Sequence, residues 1–471
     1  MTLLGLELSD AGVMVAGGEP SRLLTVDDQK IESPGYAIPE KKRLLVGRAA
    51  KDKAHLFPLQ VINRFWDQLD TEPLEQKNRH VQNHAEIACA HLSLIWENVK
   101  LHGDEMIIAV PDYYGREQLG LILGMAQEMS IPVKGFVSLP IAASFNPYPN
   151  AMLLHLDIHL HRFEIVYLHQ GDHLTRENSA ASPDISLDLL YRRWVEFIAE
   201  EFVYTTRFDP LHQALTEQEL YNRLPAALEI LKSHSSFIFE ISHGKQSYRI
   251  TLLKDMLEQK GAAVYEEICR FVEEIRNEHG ESDSSIVLQL THRIARLPGL
   301  RDKLSGIGNC EIMELEPGAG ALGALRLGRQ LPDPHSKNGV SFFTSRPWQQ
   351  PEPQLARAVS RKTSGKMRAT HLLYRDAAYP ISDKPLTIGR DDYPDGKGIS
   401  IRTQASGVSK KHCTVQRNAD MIVLTDCSLQ GTFVGGQRVD GNFVLELGQI
   451  IRLGTSGETI RLIACMNTDE T

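Results

Sequence analysis

No apolar run in this sequence approaches the roughly 18 residues that a membrane-crossing helix needs, so no membrane insertion is expected. The opening residues, MTLLGLELSDAG, carry acidic side chains early and no basic stretch followed by an apolar one, so the expected location is cytoplasmic. Cysteine is scarce. Cys89, Cys269, Cys310, Cys413, Cys427 and Cys465 are scattered without a C-x-x-C pair. That pattern excludes a disulfide framework and a zinc-type site, and it fits free thiols in a reducing compartment. Positive charge is also in short supply: 51 Lys and Arg stand against 60 Asp and Glu, a net charge of -9. General affinity for nucleic acid is therefore not expected. The run Lys41-Lys42-Arg43 reads as a solvated turn. A length of 471 residues leads us to expect several domains, with ample material for buried cores.

What is present is clearest between Leu386 and Gly436. Short apolar runs alternate with turn residues there and beyond, as in HCTVQ, MIVLTD, GTFVGG, IIRLG and ETIRLIA. This spacing predicts a small all-β sandwich whose loops carry its function. Three segments follow in order: Gly389-Arg390, Ser409-Lys410-Lys411-His412, and Gln430-Gly431-Thr432. In order and spacing they resemble the forkhead-associated (FHA) domain, a module that reads phosphothreonine. A phosphothreonine brings nearly two negative charges and three acceptor oxygens, which an arginine fork and a serine hydroxyl suit. The resemblance implies Arg390 and Ser409 as phosphate ligands, with Lys410 beside them. It places Leu429 and Gln430 on the loop that holds the peptide backbone, and His412 and Thr432 as loop braces. The family usually has asparagine where this chain has Gln430, whose amide sits on a longer stem. From residue 371 onward there are 11 Lys and Arg and 12 Asp and Glu, so any anion recognition there must be local.

Residues 1–328 alternate strand-like and helix-like segments, which predicts an α/β fold with layered sheets. LLGLEL and GVMVA read as strands around a Ser9-Asp10-Ala11 turn, and MLLHLDI and RFEIVYL as a second strand pair. LLVGRAAKDKA, IIAVPDYYGREQ, SLPIAAS and EPGAGALGALRLG, in that order, resemble segments of the actin-like ATPase fold, in particular the DnaK-type chaperone ATPase with its two similar lobes. The glycines that let backbone N–H groups approach phosphate are missing. Glu7, Leu8, Ser9, Asp10 and Ala11 stand in the first phosphate loop, where Asp10 brings a negative charge. His159-Leu160-His161-Arg162 replaces the glycine run of the second, although Asp157 is retained. Leu139 stands where the family has a glutamate, Gln289-Leu290-Thr291-His292 replaces the adenosine loop, and only Asn63-Arg64 lies near the place of the catalytic lysine. Glu229 and Lys232 match family residues that hold adenosine, though on a helix they also read as a surface ion pair. Glu7, Asp157, Glu229 and Lys232 are thus a vestigial nucleotide set. His159 and His161 read as polar residues on one strand face and not as metal ligands. No ATP hydrolysis, cofactor or metal is expected.

Residues 329–368 contain Pro332, Pro334, Pro347, Pro351 and Pro353 among polar residues, and they predict an extended linker. Within it Thr363, in RKTSGK, is a candidate kinase target. Residues 369–471 hold the FHA-like sandwich, where a DnaK-type chaperone would have its peptide-holding domain. The combined reading is a pseudo-ATPase body joined to a module that recruits a threonine-phosphorylated partner prepared by an upstream Ser/Thr kinase. A nucleotide-dependent switch or weak ATPase, and a structural subunit of a larger machine, are the alternatives.

Overall fold

The computed structural model describes residues 2–75, 79–148, 151–232, 234–279, 285–330, 340–347, 370–375, 377–393, 398–401, 408–418, 421–434, 437–439, 442–445, 449–454 and 458–463. The chain divides into two units, residues 1–354 and 355–471.

The first unit is mixed α/β. Its apolar opening forms β1 (Leu3–Glu7), fully buried, which pairs antiparallel with β2 (Met14–Gly17); β3 (Arg22–Leu23) lies beyond β2. A small separate hairpin, β4 (Ala37–Pro39) with β5 (Leu44–Val46), leads into the short helix α1 (Arg48–Lys51). Helix α2 (His84–Val99) is capped by the Asn83 side chain, which accepts from the Glu86 N–H. It buries Ile87, Leu92, Ile95 and Val99 along one stripe. Then come β6 (Glu105–Val110), α3 (Arg116–Glu128), β7 (Val133–Ser138) and α4 (Leu139–Ala143). β6 runs parallel to β1, and β7 parallel to β6.

The plan then repeats. β8 (Met152–Ile158), β9 (Phe163–Gln170) and β10 (His173–Ser182) are an antiparallel meander. Helices α5 (Leu187–Thr206) and α6 (Ala214–Leu231), the hairpin β11 (Ser236–His243) and β12 (Gln246–Leu253), and α7 (Lys254–His279) follow. The chain returns as β13 (Ile286–Leu290), parallel to β8, passes α8 (His292–Ala295) and α9 (Leu300–Ser305), and adds β14 (Cys310–Glu314) parallel to β13. Among the described residues the first sheet runs β7-β6-β1-β2-β3 and the second β14-β13-β8-β9-β10, the same order twice. Helix α10 (Ala319–Gln330) packs on β1 and α4.

Two expectations need correction, and one element lies outside them. The proposed linker does not begin at 329: α10 continues to Gln330, and part of the following stretch is ordered into strands. β15 (Phe342–Phe343) pairs parallel with β7, and β16 (Ser345–Pro347) pairs antiparallel with β10. One short segment thus covers an edge of each sheet, satisfying backbone groups that would otherwise be open to solvent. Second, His159 and His161 are not on a strand; they lie in the turn between β8 and β9, and both are buried. The β11–β12 hairpin did not register as strands in the sequence, although Phe239, Ile241, Ile250 and Leu252 alternate inward around the Gly244 turn.

The second unit is all-β. Its strands are β17 (His371–Tyr374), β18 (Ala377–Pro380), β19 (Leu386–Gly389), β20 (Gly398–Ser400), β21 (Cys413–Asn418), β22 (Met421–Asp426), β23 (Thr432–Val434), β24 (Gln437–Arg438), β25 (Asn442–Leu445), β26 (Ile450–Leu453) and β27 (Thr459–Ile463). One sheet runs β18-β17-β27-β26-β23-β24 and the other β20-β19-β21-β22-β25. Leu372, Ile388, Val415, Leu424, Ile451 and Leu462 are fully buried between them. The two inner faces supply alternate residues of each strand, as the sequence alternation predicts. Thr363 lies outside the described residues.

A chain ending at Gln330, with α10 intact, should melt below one ending at Pro347, by at least about 2 °C, because it uncovers the edges of β7 and β10. Equal thermal denaturation midpoints would contradict the strap role of β15 and β16.

Candidate functional site

Pairing of β19, β21 and β22 brings three loops to one end of the sandwich: the one after β19, the one before β21, and the one between β22 and β23. The first two are tied by backbone. The Arg390 N–H donates to the Ser409 carbonyl at 3.0 Å, and the Asp391 N–H to the Lys410 carbonyl at 3.2 Å. This approach requires Gly389, since a Cβ there would stand 1.9 Å from the Lys410 carbonyl oxygen. The Tyr393 hydroxyl also donates to that oxygen, at 2.8 Å. The third loop joins through Ser409, whose Oγ accepts the Leu429 N–H at 3.3 Å and keeps its own hydrogen to donate. Gly431, at φ +82, makes the left-handed turn that glycine adopts without a Cβ penalty.

His412 fastens the assembly from below. It is fully buried; its Nδ1 accepts the Ser409 N–H at 3.0 Å, and its Nε2 lies 3.1 Å from the Gly431 carbonyl. Only the neutral Nε2–H tautomer serves both bonds. Burial holds this imidazole below the ordinary histidine range, against the pull of the Gly431 carbonyl and Asp426. Thr432, also buried, donates from Oγ1 to Asp426 at 2.7 Å, and Asp426 further accepts the Ser428 N–H at 3.1 Å. Burial works against the Asp426 charge, yet the bonds from Thr432 and Ser428 outweigh it and hold the carboxyl below the usual carboxylate range.

All five residues assigned to phosphopeptide contact are therefore brought to one rim. Arg390, Lys410, Leu429 and Gln430 are exposed, and Ser409 is half-buried between them. Leu429 is 91 % exposed, an apolar side chain held in solvent beside the cations. Such a rim can bind a doubly charged group with an arginine and a hydroxyl while an apolar neighbour covers the peptide.

In the first unit Glu7 and Asp157 are also brought together. Each sits at the end of the central strand of its sheet, and both are buried. Between them lies Arg293, at the start of α8. Its Nη2 is 2.8 Å from Glu7 and 3.0 Å from Asp157. Asp157 takes a further bond from the Thr291 hydroxyl at 2.5 Å, and Glu7 accepts the Gly320 N–H of α10 at 2.9 Å. Burial disfavours the charge on Asp157, but Arg293 and His159 prevail and hold the carboxyl well below its usual range. Asp10 reaches across from the first sheet and accepts the backbone N–H groups of Leu160 and His161 at 2.7 and 3.1 Å. A cavity of about 10 Å³ remains beside Glu7, Thr291 and Gly320, room for about one water.

Glu229 and Lys232 do not form the surface ion pair that their helix spacing allows. Glu229 accepts from Arg296 at 3.1 Å, and Lys232 donates to Glu314 at 2.6 Å. Neither joins the Glu7–Arg293–Asp157 group. His161 bonds the Asn63 carbonyl and His159 the Ser9 hydroxyl. Among the described residues no three His, Cys, Asp or Glu side chains are grouped to hold a metal ion, and no helix is long and apolar enough to cross a membrane. Sequence reasoning missed Arg293. The one available signal was a cation just past the shortened 289–292 loop, with no glycine to suggest a phosphate neighbour.

The FHA domain family model matches residues 386–454, which run from β19 through β26 and contain all three loops. The second unit therefore contains an FHA domain, a module of phosphothreonine-mediated protein–protein interaction. No curated protein matches the chain.

Protonation of His412 would break the Ser409 N–H bond. Because its folded-state pKa lies below the unfolded value of 6.5, the brace contributes fully above that value and is lost as pH falls. Hydrogen exchange at the Ser409 amide, corrected for intrinsic rate, should therefore show protection that is steady above pH 6.5 and declines as the pH is lowered further towards acid unfolding. Protection that stays constant down to the onset of global acid unfolding would contradict the bracing role.

Proposed function

We propose that this protein is a cytoplasmic signalling or assembly scaffold that recruits a threonine-phosphorylated partner, with a Ser/Thr kinase acting upstream. The carrying observation is the rim on which exposed Arg390 and Lys410 flank the Ser409 hydroxyl, with backbone hydrogen bonds fixing both loops. The phosphate docks on Arg390, Ser409 and Lys410, and the peptide backbone lies along Leu429 and Gln430. Gln430 reaches from a longer stem than asparagine would, so it orders at a greater entropic cost.

We read the first unit as a degenerate actin/DnaK-like body that serves in protein interaction and not in catalysis. Two features support this reading: the repeated strand order of its two sheets, and the way charged groups of the chain itself fill the space between their central strands. Arg293 stands between the two retained carboxylates, where a metal-bound triphosphate would need room. Asp10 uses the amides of residues 160 and 161 that a phosphate would need. A nucleotide switch would require both groups to leave, exposing buried carboxylates to one another.

Replacing Arg390→Ala should weaken binding of a phosphothreonine peptide to the intact chain about 10- to 100-fold, from loss of a charge-assisted bond of about 1.5–3 kcal/mol. Fluorescence polarisation with phosphoserine and unmodified peptides as controls reads this out. Unchanged affinity would overturn the site.

A further inference from the structure

The β11–β12 hairpin of the first unit has open edges. Among the described residues neither strand pairs with any other, whereas β15 and β16 cover edges of the two larger sheets. Its inner side chains, Phe239, Ile241, Ile250 and Leu252, are buried, and α5 and α6 pack against it. The register runs from His243 opposite Gln246 at the turn to Ser236 opposite Leu253. Hydrogen-bonded pairs alternate in an antiparallel ladder, and a two-residue turn closes on such a pair. Phe237, Phe239, Ile241 and His243 therefore bond β12. The N–H and C=O groups of Ser236, Ile238, Glu240 and Ser242 point the other way, and none has a backbone partner among the described residues.

The two edges are not defended equally. On β12 Arg249 stands exposed, a charged side chain of the kind that keeps other strands from adding. On β11 the middle of the outer row is Ile238, 64 % exposed. Its one charge, Glu240, is drawn towards β12 by Arg249 at 3.0 Å and by the Ser247 hydroxyl. An eight-residue strand with open backbone groups and an apolar centre is a template for an added strand. The same strand from a second copy fits it. Antiparallel pairing about a twofold axis must oppose outward-directed residues of the two strands. With Glu240 on the axis two carboxylates meet, and with the axis at Phe239 each Ile238 lies against a carboxylate. Registers centred further out shorten the overlap. With Ile238 on the axis the two isoleucines face each other, and each Glu240 lies opposite a serine, Ser236, clear of like charge. Each opposed pair then exchanges two backbone hydrogen bonds.

We propose that the outer edge of β11 is a self-association surface, where two copies of the chain join antiparallel about Ile238 and merge two hairpins into one four-stranded sheet. The same surface serves on both copies, so the assembly closes as a dimer. The contact is smaller than a permanent dimer interface, which makes the association reversible and dependent on concentration. It concerns the first unit and does not depend on the phosphothreonine site.

The test is sedimentation equilibrium of the intact chain, dephosphorylated so that no phosphothreonine links one copy to another, from about 1 to about 200 µM. The wild-type mass should rise from the 52.8 kDa of one chain to twice that value and stop there. Ile238→Lys and Ile238→Glu should each remain monomeric over the same range, because two like charges then meet on the axis. Both should keep the wild-type melting temperature, since the side chain faces solvent. An equimolar mixture of the two variants should recover the dimer, as ammonium meets carboxylate, which excludes misfolding as the cause of the loss. A wild-type chain that stays monomeric throughout would overturn the proposal, and so would a dimer that survives both substitutions. A mixture that stays monomeric would overturn the twofold register at Ile238. A wild-type mass that keeps growing past two copies would overturn the closed pairing.

Discussion

Glu7 and Asp157 are carboxylates at the ends of two buried central strands, and an ionised carboxylate cannot rest in a dry interior alone. Everything about the first unit follows from how that requirement is met. Arg293 supplies the cation, and α10 turns its N-terminal amides onto Glu7, a placement the helix dipole favours. His159 stands among Asp157, Glu164 and Asp10. Burial opposes its charge, but those carboxylates overcome the penalty and hold the imidazole above its ordinary range. The group ties the central strand of one sheet to that of the other. Breaking a buried pair by removing one partner is costly, so the arrangement fixes the two sheets against each other more firmly than it adds net stability.

The FHA domain solves a related problem with a neutral histidine and a single hydrogen-bonded carboxylate. Its loops must present Arg390 and Ser409 to solvent in a fixed geometry while their backbones descend into a core. His412 does this as a neutral donor and acceptor, and Thr432 and Asp426 complete the turn. The charge at that turn, the half-buried Asp426, is held by Thr432 and Ser428 and not by the rim cations, which make no ion pair among the described residues. The division of labour is physical: the first unit consumes its charges internally, and the FHA domain keeps its charges outside.

How much of this the sequence showed depends on range. Strands β19, β21, β22, β23, β26 and β27 were legible because local alternation of apolar residues forces one face inward. The rim residues were legible because their order along the chain carries a family pattern, and backbone pairing of neighbouring strands then brings them together. Arg293 was not legible, since its partners lie 286 and 136 residues away and nothing in its neighbourhood announces them. Asp10 was legible as a charge unsuited to phosphate, yet its actual acceptor role toward residues 160 and 161 depends on how the sheets face each other. The β11–β12 hairpin was missed because polar residues at its tip interrupt the alternation, and the strap of β15 and β16 because the surrounding prolines read as linker.

The most direct test of the account is calorimetric titration of Mg-ATP into the intact wild-type chain. A body whose cleft is filled by Arg293 and Asp10 predicts no saturable heat up to millimolar nucleotide. Stoichiometric binding with a micromolar Kd, abolished in an Asp157→Asn variant that still melts cooperatively, would contradict it and make this first unit a nucleotide-responsive domain.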